Sequence, residues 1–114
     1  MSQRASLASA TIANAASLSG AVRLSGTLTG IQMPASWTAA NLTFQVSVDG
    51  DTYQNVYDSS GSEFVVTAAA ARYIPLNPAD FIDGRWLKVR SGTSGTPVNQ
   101  GAERVVQLTV RHFE

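Results

Sequence analysis

Reactive side chains are few and scattered in this sequence. His112 is the one histidine, placed near the C-terminal end between Arg111 and Phe113. A Ser-His-Asp arrangement built on it would need a nucleophile that no local motif marks. The eight Asp and Glu residues allow a glycosidase pair arithmetically. Paired acids, however, need a cleft that pushes their pKa values apart, and the sequence shows none. Asp49 and Asp51, with Asp58, could gather around calcium, but their spacing lacks the ligand ladder of an EF-hand loop, and tight turns account for such acids equally well. The absence of cysteine removes thiolate metal sites, thiol catalysis and disulfides together. The expectation is a non-enzymatic chain with no catalytic residues, no metal site and no cofactor.

The strongest exposed-site candidate is aromatic. Along Arg85 to Arg90 (RWLKVR), Leu87 and Val89 point one way while Trp86, Lys88 and Arg90 point the other. An indole between cations can anchor a protein interface, stack on a sugar ring or roof the chain's own elements. Interface comes first, which makes Trp86, Lys88 and Arg90 interface candidates. Trp37, in the loop Pro34 to Ala40, either plugs one end of the core or stands exposed as a platform, the buried plug being favoured. Tyr57 and Tyr73 could extend an aromatic surface, whereas Tyr53 is expected in the core.

These residues must be carried by strands. Asn41 to Asp58 reads as a β-hairpin, with Leu42, Phe44, Val46 and Val48 alternating with polar residues at period two, so that all four face one core. Asp49-Gly50-Asp51 supplies the turn. On the return, Tyr53 and Val56 both face the core only if a bulge near Gln54-Asn55 absorbs one residue. Gly20 to Met33 gives two short strands, Glu63 to Thr67 another, and Arg72 to Leu76 an edge strand ending at Pro75. Asn77 to Phe81 looks like one helical turn, tucking Phe81 and Ile82 under the sheets. Ser91 to Ala102 is a long polar loop of the functional or mobile kind. Arg104 to His112 is a final strand burying Val106, Leu108 and Val110.

Seven or eight short strands without a long helix indicate an all-β fold, a single antiparallel β-sandwich over residues 20–114, jelly-roll-like first and immunoglobulin-like as the open alternative. Residues 1–19 are mostly Ala and Ser without a strong period, and read as a flexible N-terminal arm. Ser9, Thr11, Asn14 and Ser17 interrupt any apolar core that a secretory signal would need. Such an arm orders only on a partner, through Leu7, Ile12 and Leu18. The 114 residues suffice for one core without staples. A formal net charge of zero, with 14% charged residues, offers little attraction for nucleic acid or anionic membranes. No stretch is long and apolar enough to span a membrane. A surface so short of charge is poorly protected against self-association, which suggests a homo-oligomer.

Taken together, Ile31 to Asp58 (IQMPASWTAANLTFQVSVDGDTYQNVYD) and the stretch from Ala68 to Arg111 resemble a family of small β-sandwich proteins encoded in tailed phages, prophages and gene transfer agents. The pieces that carry the resemblance are Pro34 with Trp37, the Leu42 to Gly50 hairpin, Tyr73-Ile74, Pro78 to Phe81, and Arg85 to Gly92 followed by Pro97-Val98-Asn99-Gln100. The resemblance spans about residues 28–111 and leaves the N-terminal segment outside it. It implies a virion component made in the host cytoplasm: a capsid decoration protein, or the base of a head spike or fibre. Its partners would be the major capsid protein or other virion proteins, including a fibre or spike protein. It implies no catalytic residues. The competing function is a carbohydrate-binding module for adhesion, acting through Trp86 or Trp37.

Overall fold

The computed structural model describes residues 3–77 and 85–113, so the turn expected at Pro78 to Phe81, and Ile82 behind it, lie outside the described residues. Among the described residues eight strands follow in order: β1 (Gln3–Ile12), β2 (Val22–Arg23), β3 (Thr27–Gln32), β4 (Leu42–Ser47), β5 (Gln54–Asn55), β6 (Tyr73–Pro75), β7 (Trp86–Ser91) and β8 (Arg104–Phe113). They form two four-stranded sheets, ordered β1-β8-β3-β6 and β2-β7-β4-β5. Every pairing is antiparallel. First pairs with last, second with seventh, third with sixth and fourth with fifth, which is one long hairpin rolled up into two sheets. That nesting is the jelly roll, and it closes the immunoglobulin alternative.

The inner faces meet in a core of Leu24, Leu28, Ile31, Met33, Leu42, Phe44, Leu87, Val89, Val106, Leu108 and Val110, all buried. Alternation along β4, β7 and β8 dictates seven of them, from Leu42 and Phe44 to Leu87, Val89, Val106, Leu108 and Val110, because period two sends every second side chain inward. The hairpin β4–β5 forms with Gln45 opposite Asn55 and Val46 opposite Gln54. Leu42 and Phe44 are fully buried and Val46 packs partly against the core. Val48 is exposed, contrary to the alternation, because the strand ends at Ser47. There the Ser47 hydroxyl accepts from the N–H groups of Asp49 and Gly50 and starts the turn early. Nor does the return strand bulge. Its register continues to Val56, whose N–H donates to the Phe44 carbonyl, so Val56 faces the core and Tyr53 the outside. The register shift lies in β3, between Leu28 and Gly30.

Two further expectations change. Glu63 to Thr67 makes only isolated bridges, Tyr57 to Glu63 and Leu42 to Val66, rather than a strand. The larger change is at the N-terminus: residues 3–12 are not a free arm but β1, paired along its whole length with β8. Ala8, Ala10 and Ile12 turn inward, Ala10 and Ile12 being fully buried. An alternating Ala/Ser pattern buries little area per residue, so its strand character emerges only when β8 supplies a ladder.

The turns are closed by carboxylates. Asp49 accepts from the N–H groups of Asp51 and Thr52 and from the Ser47 hydroxyl. Asp58 accepts from the Ser60 hydroxyl and from the N–H groups of Ser60 and Ser62. Each cap holds its carboxyl below the usual carboxylate range, Asp49 chiefly through the Thr52 N–H and Asp58 chiefly through the Ser60 hydroxyl. A folded pKa below the unfolded value stabilises the fold above about pH 4, and that contribution disappears as pH falls through the lowered values. Urea midpoints measured from about pH 6 down to about pH 2 should therefore decline at the acid end. Asp49→Asn, which keeps the turn but cannot titrate, should flatten that decline; an unchanged slope would remove the turn caps from the account.

Candidate interaction surface

The outer face of the β2-β7-β4-β5 sheet carries the expected stripe of Trp86, Lys88 and Arg90, but its members are already engaged within the chain. Strand alternation and the β4–β7 register set Trp86 opposite Ser47, Lys88 opposite Gln45 and Arg90 opposite Thr43. The Arg23 guanidinium, delivered by β2, lies over the Trp86 ring at 4.6 Å from its centroid. Gly50 abuts the six-membered part of the indole: its φ is +85°, and a Cβ there would come within 3.3 Å of the ring. The hairpin turn thus uses glycine both for its left-handed geometry and for its closeness to Trp86. The Lys88 ammonium sits 4.3 Å from the centroid of Tyr53. Both contacts are cation–π pairs within one chain.

Arg90 departs furthest from expectation. Although its side chain leaves the sheet on the outer side, it is buried, so it is not a surface contact. Its guanidinium donates to Asn55 Oδ1 at 2.9 Å and Thr43 Oγ1 at 3.3 Å, and pairs with Glu63 at 3.4 Å. Glu63 in turn accepts from the Ser94 N–H, and the Thr43 hydroxyl donates to the Gly92 carbonyl at 2.7 Å. The segments around Glu63 and Ser94 therefore roof this end of the sheet. Alternation reports which side of a sheet a residue leaves, not what later covers that side.

A second buried knot forms around Gln100, in the loop expected to be functional or mobile, where no local signal assigned the residue a role in packing. Its Oε1 accepts from the Thr38 N–H at 2.8 Å and from Arg104 Nε at 3.1 Å. Its Nε2 donates to the Thr38 carbonyl at 3.0 Å and the Ser91 hydroxyl at 2.7 Å. Backbone bonds from Gln100 N–H to the Ala16 carbonyl, and from Ala15 N–H to the Gln100 carbonyl, tie in the segment after β1. Trp37 lies half-buried against the core and donates through Nε1 to the Ala40 carbonyl, as a plug does. Glutamine at one loop position is a weak signal in a chain rich in polar residues; only the fold reveals that its four hydrogen-bonding positions are all met.

Of the N-terminal candidates, Ile12 is buried in the chain's own core and is withdrawn as an interface residue. Leu18 is half-buried and bridges by its backbone to Arg90 of β7. Leu7 stands 68% exposed on the outer face of the other sheet. That face also exposes Val105 and Tyr73, among Ser9, Thr11, Gln107, Gln32 and Thr109. Tyr73 is clamped there, its hydroxyl 2.9 Å from Thr109 Oγ1 and its ring over Gly30, where any Cβ would collide with it.

His112 does meet a serine. Its Nδ1 lies 3.1 Å from the Ser25 carbonyl, which can only accept, so Nδ1 donates there, and its Nε2 lies 2.8 Å from the Ser6 hydroxyl. The contact clasps β1 to β8 and to the turn before β3. Among the described residues, the concavities beside Val46 and Val56 and beside Met33 and Arg72 are lined by neither Ser6 nor His112. Neither the comparison with protein-family models nor that with curated proteins gives a match to this chain.

Proposed function

We propose that the chain is a structural component of a tailed-phage or phage-like particle, carried on the capsid surface as a decoration protein or as the base of a head spike or fibre. The observation that supports this most is where the residues of the phage-family resemblance lie. Leu42 to Gly50 and Arg85 to Gly92 hold the paired strands β4 and β7, while Gln100 centres the buried polar knot, bonded to Thr38 next to Trp37. Those residues build a frame, and what the frame leaves for function is surface. Jelly rolls recur in viral capsids and in lectins, so the fold is compatible with both candidate functions and is an analogy for either. The outer face of the β1-β8-β3-β6 sheet, with Val105 and Tyr73 among mostly uncharged polar residues and Arg111 towards one end, suits contact with a neighbouring capsid subunit. The carbohydrate alternative draws less support, since Arg23 covers Trp86 and Trp37 plugs the core.

The test is to purify particles from cells making the wild-type chain or a variant with Val105→Lys and Gln107→Lys, and to count bound copies by gel densitometry. Wild type should bind at a constant ratio to the major capsid protein, and the variant, with an unchanged circular dichroism spectrum, should bind about tenfold less. A wild-type chain absent from particles, yet binding a glycan as an isolated domain, would replace this reading with the carbohydrate-binding one.

A further inference from the structure

The two sheets have four edges, and three of them are broken. β2 and β5 are two residues each, and β6 is three residues including Pro75, which has no N–H to offer. Short, interrupted edges of this kind discourage pairing with another chain. The fourth edge, β1, is ten residues long, contains no proline or lysine, and carries a single charge at Arg4. In natural sheets such an edge is normally blunted.

The direction of its free backbone groups can be read from neighbouring bonds. The Thr109 carbonyl is engaged on the β3 side by Thr29, so the odd residues of β8 face β3 and the even ones face β1. Even residues of β1 stand opposite even residues of β8, so Ser6, Ala8 and Ala10 bond to β8 while Ala5, Leu7, Ser9 and Thr11 aim their N–H and C=O groups at the open side. Thr11 agrees, its carbonyl accepting from the Gly20 N–H. Among the described residues no other backbone bond reaches β1 from that side.

We infer that β1 is a self-pairing edge, on which a second copy of this chain adds its own β1 antiparallel about a two-fold axis at Leu7. In that register Leu7 meets Leu7 of the second copy, Ala5 meets Ser9, Ser6 meets Ala8, and Arg4 meets Ala10. Charge meets no like charge anywhere along it, and only small residues flank the central leucines. The pairs at Leu7 and at Ala5 with Ser9 exchange two hydrogen bonds each. The exposed Leu7 side chains cover one another, and the two four-stranded sheets become one of eight. The same register repeated on both copies is what an isologous contact requires. This deepens the expectation of a homo-oligomer and does not depend on attachment to a particle.

A chain without cysteine makes the test direct. Opposed residues of a hydrogen-bonded antiparallel pair have Cα atoms about 5.5 Å apart, within disulfide reach. Leu7→Cys should therefore form a covalent dimer under mild oxidation. Thr11→Cys should not, because its two copies would lie about 27 Å apart. Sedimentation equilibrium should show a wild-type dimer, with Leu7→Lys raising the dissociation constant at least about tenfold at an unchanged circular dichroism spectrum. A wild-type monomer at about 1 mM, or equal cross-linking at positions 7 and 11, overturns the inference. Particle binding by such a monomer would leave the proposed function standing alone.

Discussion

Replacing Phe44 with alanine should lower the stability of the domain by about 3 to 5 kcal/mol. Phe44 is fully buried at the centre of β4, between β7 and β5, and its ring lies 6.0 Å from that of Phe64, tilted by 42°. The loss combines the transfer free energy of a phenyl group with the cavity left behind, and paired strands on both sides limit how far the backbone can collapse into it. Urea unfolding followed by circular dichroism measures it directly. The midpoint should fall with little change in the denaturant slope, and a loss below about 1 kcal/mol would mean that β4 does not carry the core.

The second large effect concerns Arg90. If its position in the alternating stripe made it a contact residue, Arg90→Ala would leave the isolated domain unchanged. Its burial and its bonds to Glu63, Asn55 and Thr43 give the opposite result. Truncation leaves the Glu63 carboxylate partly desolvated, with only the Ser94 N–H to satisfy it among the described residues. Breaking a fully buried pair costs about 3 to 5 kcal/mol; residual solvent access to Glu63 reduces the expected loss here to about 2 to 3 kcal/mol. Combining Arg90→Met with Glu63→Gln should recover much of it, because no charge is then stranded. A single-variant loss under about 0.5 kcal/mol would return Arg90 to the surface.

How far the fold could be read from the sequence depends on how strongly each segment alternates. Leu87 with Val89, Val106 with Leu108 and Val110, and Leu42 with Phe44 are apolar at period two, and all of them are core. Val48 broke the rule because a serine and an aspartate two residues apart made a stronger local claim on the backbone than one more valine on the sheet. β1 was unreadable for a different reason. Ala8, Ala10 and Ile12 are its inward residues, and alanine is too small and too common to mark a face, so the strand depends on a partner about a hundred positions away. Removing residues 1–19 would take a strand out of the sandwich rather than trim a tail.

The candidate site was legible only in part. The stripe of Trp86, Lys88 and Arg90 was correctly placed on one side of β7, but Arg23, Tyr53 and Glu63, which meet it there, come from distant segments with no local signal linking them. Leu7, named for a tail that would order on a partner, is the one strongly exposed leucine, on a strand edge that the tail reading did not contain.

The most direct measurement is a symmetric cryo-electron-microscopy reconstruction of purified particles from the strain that encodes this chain. Density for a two-sheet, eight-stranded sandwich should repeat on the capsid surface, with the outer face of the β1-β8-β3-β6 sheet against a neighbouring subunit. Fully assembled particles with no such density, and no copies of the chain by mass spectrometry, would contradict the proposed capsid role.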